Sequence, residues 1–205
     1  MRGSSRYPAE DFAQRALPLS DARGEFFRCA IVRRPLLDWD ARATSRFSHP
    51  TLPHPVLYLA ENKLTCFWEC FGDELNDQPP GEKAISCEHH LAPRQWVRFT
   101  IRPALRVIDV TQPATLRALG ADGATFLADY AITRAWAEAL MRHPAHIDGF
   151  FYRSRLDSGQ RCLAVFGRPQ LRLHDRKRFQ PKKAGALLRD LGLLLLLVDE
   201  GIGLL

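Results

Sequence analysis

The chain of 205 residues lacks any long hydrophobic run. Its longest uninterrupted apolar stretch, residues 193–198, has six residues, whereas a membrane-spanning helix needs about 20. The first 14 residues are polar and contain no apolar segment typical of a signal peptide. These absences argue against a membrane anchor and against export, and we expect a cytoplasmic protein.

Cysteine is scarce, and its spacing excludes the common cysteine-based frameworks. The five cysteines are odd in number and scattered, with no C-x-x-C pair. This pattern favours a reducing compartment and free, mostly buried thiols. Cys66 and Cys70 are one helical turn apart and Cys87 lies close to His89 and His90. The paired ligand spacing of structural zinc sites is nevertheless missing, and we expect no bound metal.

The chain also lacks a glycine-rich phosphate loop, internal repeats and any helix-turn-helix, zinc-finger or aromatic RNA-binding signature. It has an excess of basic residues, 29 Lys and Arg against 23 Asp and Glu, which gives a net charge of +6. The arginines are spread along the chain, except for a denser stretch over residues 172–183. Such a surface suits an anionic small substrate or an acidic partner, and we expect no direct contact with nucleic acid.

The composition is that of one globular domain. Hydrophobic residues make up 46% of the chain and charged residues 25%, which are ordinary proportions for such a protein. A chain of this length is sufficient for one domain with a substantial core. We predict a poorly ordered leader over residues 1–22 and a single domain over residues 23–205.

Four polar side chains accompany the elements predicted in the first third of the chain. Residues 26–32 predict a first strand, residues 34–55 a proline-rich loop and residues 56–60 a short buried strand. In the helix that follows, apolar residues recur at steps of three and four. The polar side chains in these four segments are Arg28, Arg46, Tyr58 and Glu69, in that order.

The rest of the chain predicts more strands than helices. We expect helices over residues 111–119 and 124–142, the second ending before His143-Pro144. The predicted strands are residues 96–102, 105–110, 149–153, 161–166 and 171–174, with a hairpin turn at 157–160. Because strands are grouped and helices are few, the pattern indicates an α+β fold with a mixed β-sheet.

Each polar residue of interest also has a purely structural interpretation. Glu69 projects about 140° from the centre of the apolar stripe, so it either faces solvent or lines a cleft. Tyr58 can be a core tyrosine whose hydroxyl is satisfied at an edge. Arg28 can pair with a carboxylate instead of entering a site. Ser154, at the end of a predicted strand, is on pattern alone a turn residue.

The order of these residues resembles the RES domain family. The similar segments extend over roughly residues 25 to 168 and keep the family's order along the chain. They are Phe27-Arg28, Ser45-Arg46-Phe47-Ser48, Val56-Leu57-Tyr58-Leu59, Phe67-Trp68-Glu69, Val107–Thr111, Asp129-Tyr130-Ala131 with Trp136, Asp148–Arg155 and Cys162–Phe166.

The resemblance implies a fold similar to the ADP-ribosyltransferase toxins, with NAD in a cleft between sheet and helix. RES domains are typically toxins that break the bond between nicotinamide and ribose, with water or phosphate as the acceptor. Some members transfer ADP-ribose to a protein instead. NAD is then the substrate, phosphate a candidate co-substrate, and no cofactor is expected.

The same resemblance implies a role for each candidate residue. Glu69, Arg46 and Tyr58 would be catalytic, with Glu69 stabilising positive charge that develops on the ribose. Arg28 and Arg46 would bind the pyrophosphate, and Tyr58 would form an aromatic wall for the nicotinamide. Ser154 would bind the ribose or a phosphate, or orient Glu69.

The resemblance also implies a partner protein. The chain carries no DNA-binding segment of its own, so it resembles the toxin half of a toxin–antitoxin pair. The antitoxin would be a separate chain, usually of helix-turn-helix type, that plugs the cleft. A homodimer is left open. An interpretation from a different class is a non-catalytic protein that binds a partner or nucleic acid through its basic surface.

Overall fold

The computed structural model describes residues 6–35, 37, 39–157, 159–167, 174–179, 195 and 197–205. Strands predominate in these residues and helices are few, so the predicted α+β class is confirmed. No helix in the described ranges is long and apolar enough to cross a membrane.

Among the described residues, six strands form a mixed main sheet and two short strands pair separately. The strands are β1 (Leu19–Ile31), β2 (Val56–Ala60), β3 (Ala84–Ile85), β4 (Arg94–Asp109), β5 (Gly149–Arg153), β6 (Arg161–Phe166), β7 (His174–Phe179) and β8 (Gly203–Leu204). The order in the main sheet is β1-β2-β6-β5-β4-β7, and β1 also pairs with β4. The pairings of β1, β2, β6, β5 and β4 therefore close into a ring. Only the β4–β5 pair of this sheet is parallel among the pairings described.

Three α-helices whose bounds lie within the described residues accompany the sheet, and each falls where a helix was predicted. They are α1 (Lys63–Asn76), α2 (Pro113–Leu119) and α3 (Tyr130–Arg142). Helix α2 begins with Pro113 in its first turn and ends at Gly120, whose φ of 76° is a left-handed conformation that glycine adopts readily. The helix predicted over residues 124–142 is shorter, because residues 125–127 form a separate 3-10 turn before α3 begins.

One long strand replaces two predicted ones. The prediction separated residues 96–102 from 105–110, but β4 continues through Pro103 and pairs with β1 along most of its length. Residues 96–102 alternate strictly in sequence, with Val97, Phe99 and Ile101 on one side, which predicted a half-exposed strand with Trp96 on the polar side. Trp96 is instead buried, because Phe67 and Phe71 of α1 pack beside its ring.

Residues 6–18, the described part of the segment before β1, pack on the domain; the leader predicted over residues 1–22 includes residues 1–5, which lie outside the described residues. Phe12 is buried and contacts the ring of Trp136 edge-on, with 5.3 Å between the centroids. The indole N–H of Trp136 donates to the carbonyl of Arg6 at 2.8 Å. Strand β1 begins at Leu19, seven residues earlier than predicted, because it continues to pair with the second half of β4. The domain boundary at residue 23 stays a prediction.

The end of the chain is described only in part. Strand β7 overlaps the strand predicted over residues 171–174 at a single residue, and the rest of that prediction lies outside the described residues. Most of the leucine-rich segment near residues 187–198, which by its composition predicts a helix or a strand, also lies outside them. In the described part of the tail, β8 pairs in parallel with β3.

Candidate active site

A cavity of about 350 Å³ lies where β1, the proline-rich loop, β2 and α1 meet. The start of α3 and the segment after β5 complete its wall. Four residues predicted to form a site line this cavity: Arg28, Arg46, Tyr58 and Glu69. Ser154 lies behind them, fully buried. The structure therefore brings together all five residues that the sequence suggested.

Glu69 is held in place by Ser154. The Ser154 hydroxyl donates to Glu69 Oε1 at 2.6 Å, across 85 residues of sequence. The same hydroxyl accepts the backbone N–H groups of Leu156 and Asp157 at 3.1 and 2.9 Å. These two donors fix the position of the serine oxygen and leave its proton for Glu69. Ser154 is thus a turn residue, as pattern alone suggested, and also contacts the carboxylate.

Helix α1 uses two opposite faces. Its apolar stripe packs into the core, and the opposite side presents Cys66, Glu69, Cys70 and Asp73 to the cavity. These four positions follow the spacing of a single helical face. Glu69 keeps an exposed surface, but that surface lines the cavity. Of the two interpretations offered for the polar face, the cleft fits the geometry.

The environment of Glu69 balances opposing effects on its charge. Burial raises the pKa of Glu69, and the Ser154 hydrogen bond together with the positive charge of Arg46 opposes the increase. The charge of Arg155 acts in the same direction as that of Arg46. Without these three groups, a carboxylate in this cavity would be more easily protonated.

Arg46 is buried, with 7% of its surface exposed. Its Nη2 donates to the carbonyl of Arg153 at 3.1 Å, and its guanidinium lies 4.7 Å from the ring of Phe47 and 4.8 Å from that of Tyr152. Its Nε is buried and has no hydrogen-bond partner among the described residues. Burial lowers the pKa of Arg46. A buried donor without a partner is typical of a group that a bound ligand or water completes.

The loop around Arg46 is fixed from two sides by polar contacts. From α3, Thr133 Oγ1 donates to the carbonyl of Arg46 at 2.6 Å and Arg134 Nε donates to that of Ser45 at 2.9 Å. From β2, the Tyr58 hydroxyl lies 2.7 Å from Ser45 Oγ and accepts the N–H of Phe47 at 3.0 Å. These contacts hold a loop that has no regular secondary structure of its own.

Tyr58 therefore combines the two interpretations considered for it. Its hydroxyl is satisfied by the loop, as expected of a core tyrosine, while the residue also lines the cavity. Burial raises the pKa of Tyr58 to about 12, so the hydroxyl stays protonated at neutral pH.

Arg28 and two residues not predicted for the site add to the cavity wall. Arg28 extends from β1 and donates to the carbonyl of Tyr58 at 3.4 Å. Arg155 and Tyr130 also line the cavity and are both exposed. The only sign in the sequence that these two residues belong to the site was their place in two segments that resemble the RES domain family, Asp148–Arg155 and Asp129-Tyr130-Ala131. Chemically, the cavity combines three arginines with one oriented carboxylate, so it can hold an anionic ligand beside a centre that becomes positive.

Fold and cavity together define a class of protein, a mixed α+β domain with a serine-bound carboxylate and arginines in one cavity. A model of the RES domain family matches residues 26–186. Because this match covers more than half of the sequence, the chain belongs to the RES domain family.

The fold is also similar to that of a solved structure. A chain of the M. tuberculosis MbcT–MbcA toxin–antitoxin complex superposes with a TM-score of 0.67 and 22% identity. The superposition covers 89% of this chain and 97% of that one. At this identity the likeness shows the fold alone. A search of the curated proteins found no match.

Proposed function

We propose that this protein is an enzyme that cleaves the bond between nicotinamide and ribose in NAD, and that it acts as the toxin of a toxin–antitoxin pair. The observation that carries the proposal is the Glu69 carboxylate, hydrogen-bonded to Ser154 at 2.6 Å in a cavity also lined by Arg28 and Arg46. Membership of the RES domain family supports it.

Glu69 supplies the negative charge that the reaction needs. When nicotinamide leaves, the ribose carbon acquires oxocarbenium-like positive charge, as in glycoside cleavage. A fixed carboxylate beside that carbon stabilises the transition state more than the ground state, because the charge is absent before the bond breaks. The Ser154 hydrogen bond holds the carboxylate in one position and favours its charged form.

The arginines suit the diphosphate of NAD. A guanidinium can donate two parallel hydrogen bonds to phosphate oxygens, and Arg46 has a buried Nε without a partner among the described residues. Arg28 and Arg155 line the same cavity. Tyr58 would contribute a ring surface to the nicotinamide end, because its hydroxyl is already engaged with the loop.

The test measures nicotinamide release from NAD, with and without phosphate, by the wild type and by Glu69→Gln. We expect release by the wild type and a rate about 10²–10³-fold lower in the variant, the usual cost of losing one oriented charge-stabilising group. The matched control is Glu74→Gln, on the same helix, because Glu74 pairs with His90 and does not line the cavity. Its rate should equal that of the wild type. Equal rates for Glu69→Gln and the wild type would contradict the proposal.

The second product identifies the acceptor. ADP-ribose indicates water, ADP-ribose phosphorylated at the anomeric carbon indicates phosphate, and ADP-ribose attached to an added protein indicates transfer. Intact NAD together with salt-sensitive retention of nucleic acid would favour the non-catalytic binding protein.

We also propose that a separate antitoxin chain covers the mouth of the cavity. The structural neighbour comes from a toxin–antitoxin complex, and the mouth carries exposed groups, Tyr130 and Arg155, that a partner can contact. A protein that co-purifies with the tagged chain from its own organism should abolish nicotinamide release when added back. Full activity of the complex would contradict the plugging model.

A further inference from the structure

Four of the five cysteines line the cavity, and three of them come from β1 and α1. Cys29 comes from β1, while Cys66 and Cys70 come from α1, and all three line the cavity. The neighbouring thiols of Cys29 and Cys66 both act to lower the pKa of Cys70. All three are free thiols. No group of metal-ligating side chains in the described part of the chain is arranged to hold a metal ion.

Geometry selects one pair within the cluster. Residues four apart on a helix have Cβ atoms about 5–6 Å apart, whereas a disulfide needs about 3.5–4.5 Å. Cys66 and Cys70 would therefore bond only by distorting α1. Cys29 and Cys70 lie on different elements that face each other, so their separation is not fixed by one helix. Both are half-buried beside the cavity, whereas Cys66 is buried, with 4% of its surface exposed.

The surroundings make Cys70 the more nucleophilic of the pair. Hydrogen bonds from Cys29 and Cys66 lower the pKa of Cys70, and the nearby charges of Arg94 and Arg28 act in the same direction. The hydrogen bond to Cys70 and burial raise the pKa of Cys29. A thiolate in an electropositive, partly accessible position is the usual environment of a reactive cysteine.

We infer that Cys70 and Cys29 form a redox-active thiol pair in the cavity wall, with a hydroperoxide as the oxidant. The Cys70 thiolate attacks one peroxide oxygen, so that an S–O bond forms, the O–O bond breaks and hydroxide leaves. Cys29 then attacks the Cys70 sulfenic acid, the S–S bond forms, and the departing hydroxide takes the Cys29 proton as water. Two thiols lose two electrons in total, and one hydrogen peroxide becomes two waters.

Peptide mapping after brief treatment with hydrogen peroxide tests this pair directly. Remaining thiols are blocked with iodoacetamide, and the unreduced protein is digested with trypsin and a glutamate-specific protease. The second protease separates Cys66 from Cys70, because Glu69 lies between them. We expect a peptide linking Cys29 to Cys70 that disappears with dithiothreitol. No linked peptide, or a link between Cys66 and Cys70, would overturn the proposal.

Variants identify the attacking sulfur. In Cys29→Ser the sulfenic acid at Cys70 should accumulate and react with dimedone, while Cys70→Ser should lower the rate of thiol loss by at least about tenfold. Cys70→Ala serves as a second variant if the serine disturbs the fold. Cys87→Ser is the control, because Cys87 is half-buried outside the cavity, and should behave as the wild type. Unchanged thiol loss in both Cys70 variants would overturn the assignment.

Oxidation in the presence of a cavity ligand distinguishes a failure of this inference from a failure of the proposed function. Saturating ADP-ribose should slow the oxidation of Cys70, because the cavity that exposes the thiol would be filled. If the Cys29–Cys70 peptide forms equally fast with and without ADP-ribose, the redox pair stands and the cavity is not the NAD site.

Discussion

The hydroxyl of Ser154 does more than close a turn, because it also favours the charged form of Glu69. Ser154→Ala removes a hydrogen bond that lowers the pKa of Glu69. The pKa of Glu69 is already raised by burial, so it should rise further in the variant. If cleavage requires ionised Glu69, activity is lost as pH falls through that pKa. The acid limb of the pH–rate profile should therefore move to higher pH in Ser154→Ala.

This shift is measured from nicotinamide release across pH, on protein shown by its melting curve to be folded. The control is Ser86→Ala, which removes a serine that accepts the N–H of His89 and does not line the cavity. Its acid limb should coincide with that of the wild type. A Ser154→Ala profile with the wild-type acid limb would mean that the hydrogen bond does not govern the charge of Glu69.

A second prediction at the scale of one residue concerns Tyr58. Tyr58→Phe leaves the N–H of Phe47 without its acceptor and Ser45 Oγ without its partner. An unsatisfied buried donor costs about 1–3 kcal/mol, so the free energy of unfolding should fall by that amount in urea titrations. The KM for NAD should also rise, because Arg46 lies between the two loop residues that the hydroxyl holds.

Tyr130→Phe is the matched comparison for Tyr58→Phe. Tyr130 lines the same cavity, but 41% of its surface is exposed, and a surface substitution of this kind changes stability by about 0.5 kcal/mol or less. Equal stability losses in the two variants would show that the Tyr58 hydroxyl does not hold the loop.

At the scale of elements, the start of α1 sets the position of Glu69. Asn62 caps this helix, since its side-chain oxygen accepts the N–H of Thr65 at 2.8 Å. Asn62→Ala should lower the free energy of unfolding by about 1 kcal/mol, the usual cost of losing an N-cap. Asn62→Asp should retain most of the stability, because aspartate accepts the same hydrogen bond.

Chemical denaturation measures this effect, with Asn76→Ala as the control. Asn76 lies at the other end of α1, where it is exposed and only accepts a 3.4 Å hydrogen bond from Lys83. Its substitution should change stability by about 0.5 kcal/mol or less. If Asn62→Ala is no more harmful than Asn76→Ala, the cap does not stabilise the helix.

The sequence patterns predicted which helices and strands are present better than they predicted where each begins and ends. The periodicity of α1 and the turn residues at 157–160 predicted the helix and the hairpin correctly, because each pattern reports contacts between residues near in sequence. The continuity of β4 could not be predicted, because a proline such as Pro103 usually indicates the end of a strand. Pairing with β1 on one side nevertheless carries the strand past it.

The site could be assembled from the sequence only by resemblance to a family. Its contacts join residues far apart, with a sequence separation of 85 between Glu69 and Ser154 and of 107 between Arg46 and Arg153. The periodicity of a helix or a strand relates only residues that are near in sequence, so it does not predict these contacts. The roles of the five predicted residues in catalysis stay predictions. Arg155 and Tyr130 were missed because an exposed arginine and tyrosine carry no pattern that separates a cavity wall from an ordinary surface.

At the scale of the whole molecule, the fold extends beyond the part that the family model matches. That match begins at residue 26, yet Phe12 is buried against Trp136 and His143. Arg15 also donates to the carbonyl of Leu119 at 2.9 Å, near the end of α2. Residues 6–18, the described part of the segment before β1, therefore pack against α3.

Phe12→Ala tests whether this segment contributes to global stability. Truncating a buried phenylalanine costs about 3–5 kcal/mol, so the melting temperature should fall clearly. Leu19→Ala is the control, since Leu19 is 41% exposed and its loss should change stability by about 0.5 kcal/mol or less. Below its melting temperature, Phe12→Ala should still cleave NAD, because Phe12 does not line the cavity. If Phe12→Ala melts like the wild type, the residues before β1 do not contribute to global stability. If it stays folded but loses activity, the position of α3 and of the Arg46 loop depends on Phe12.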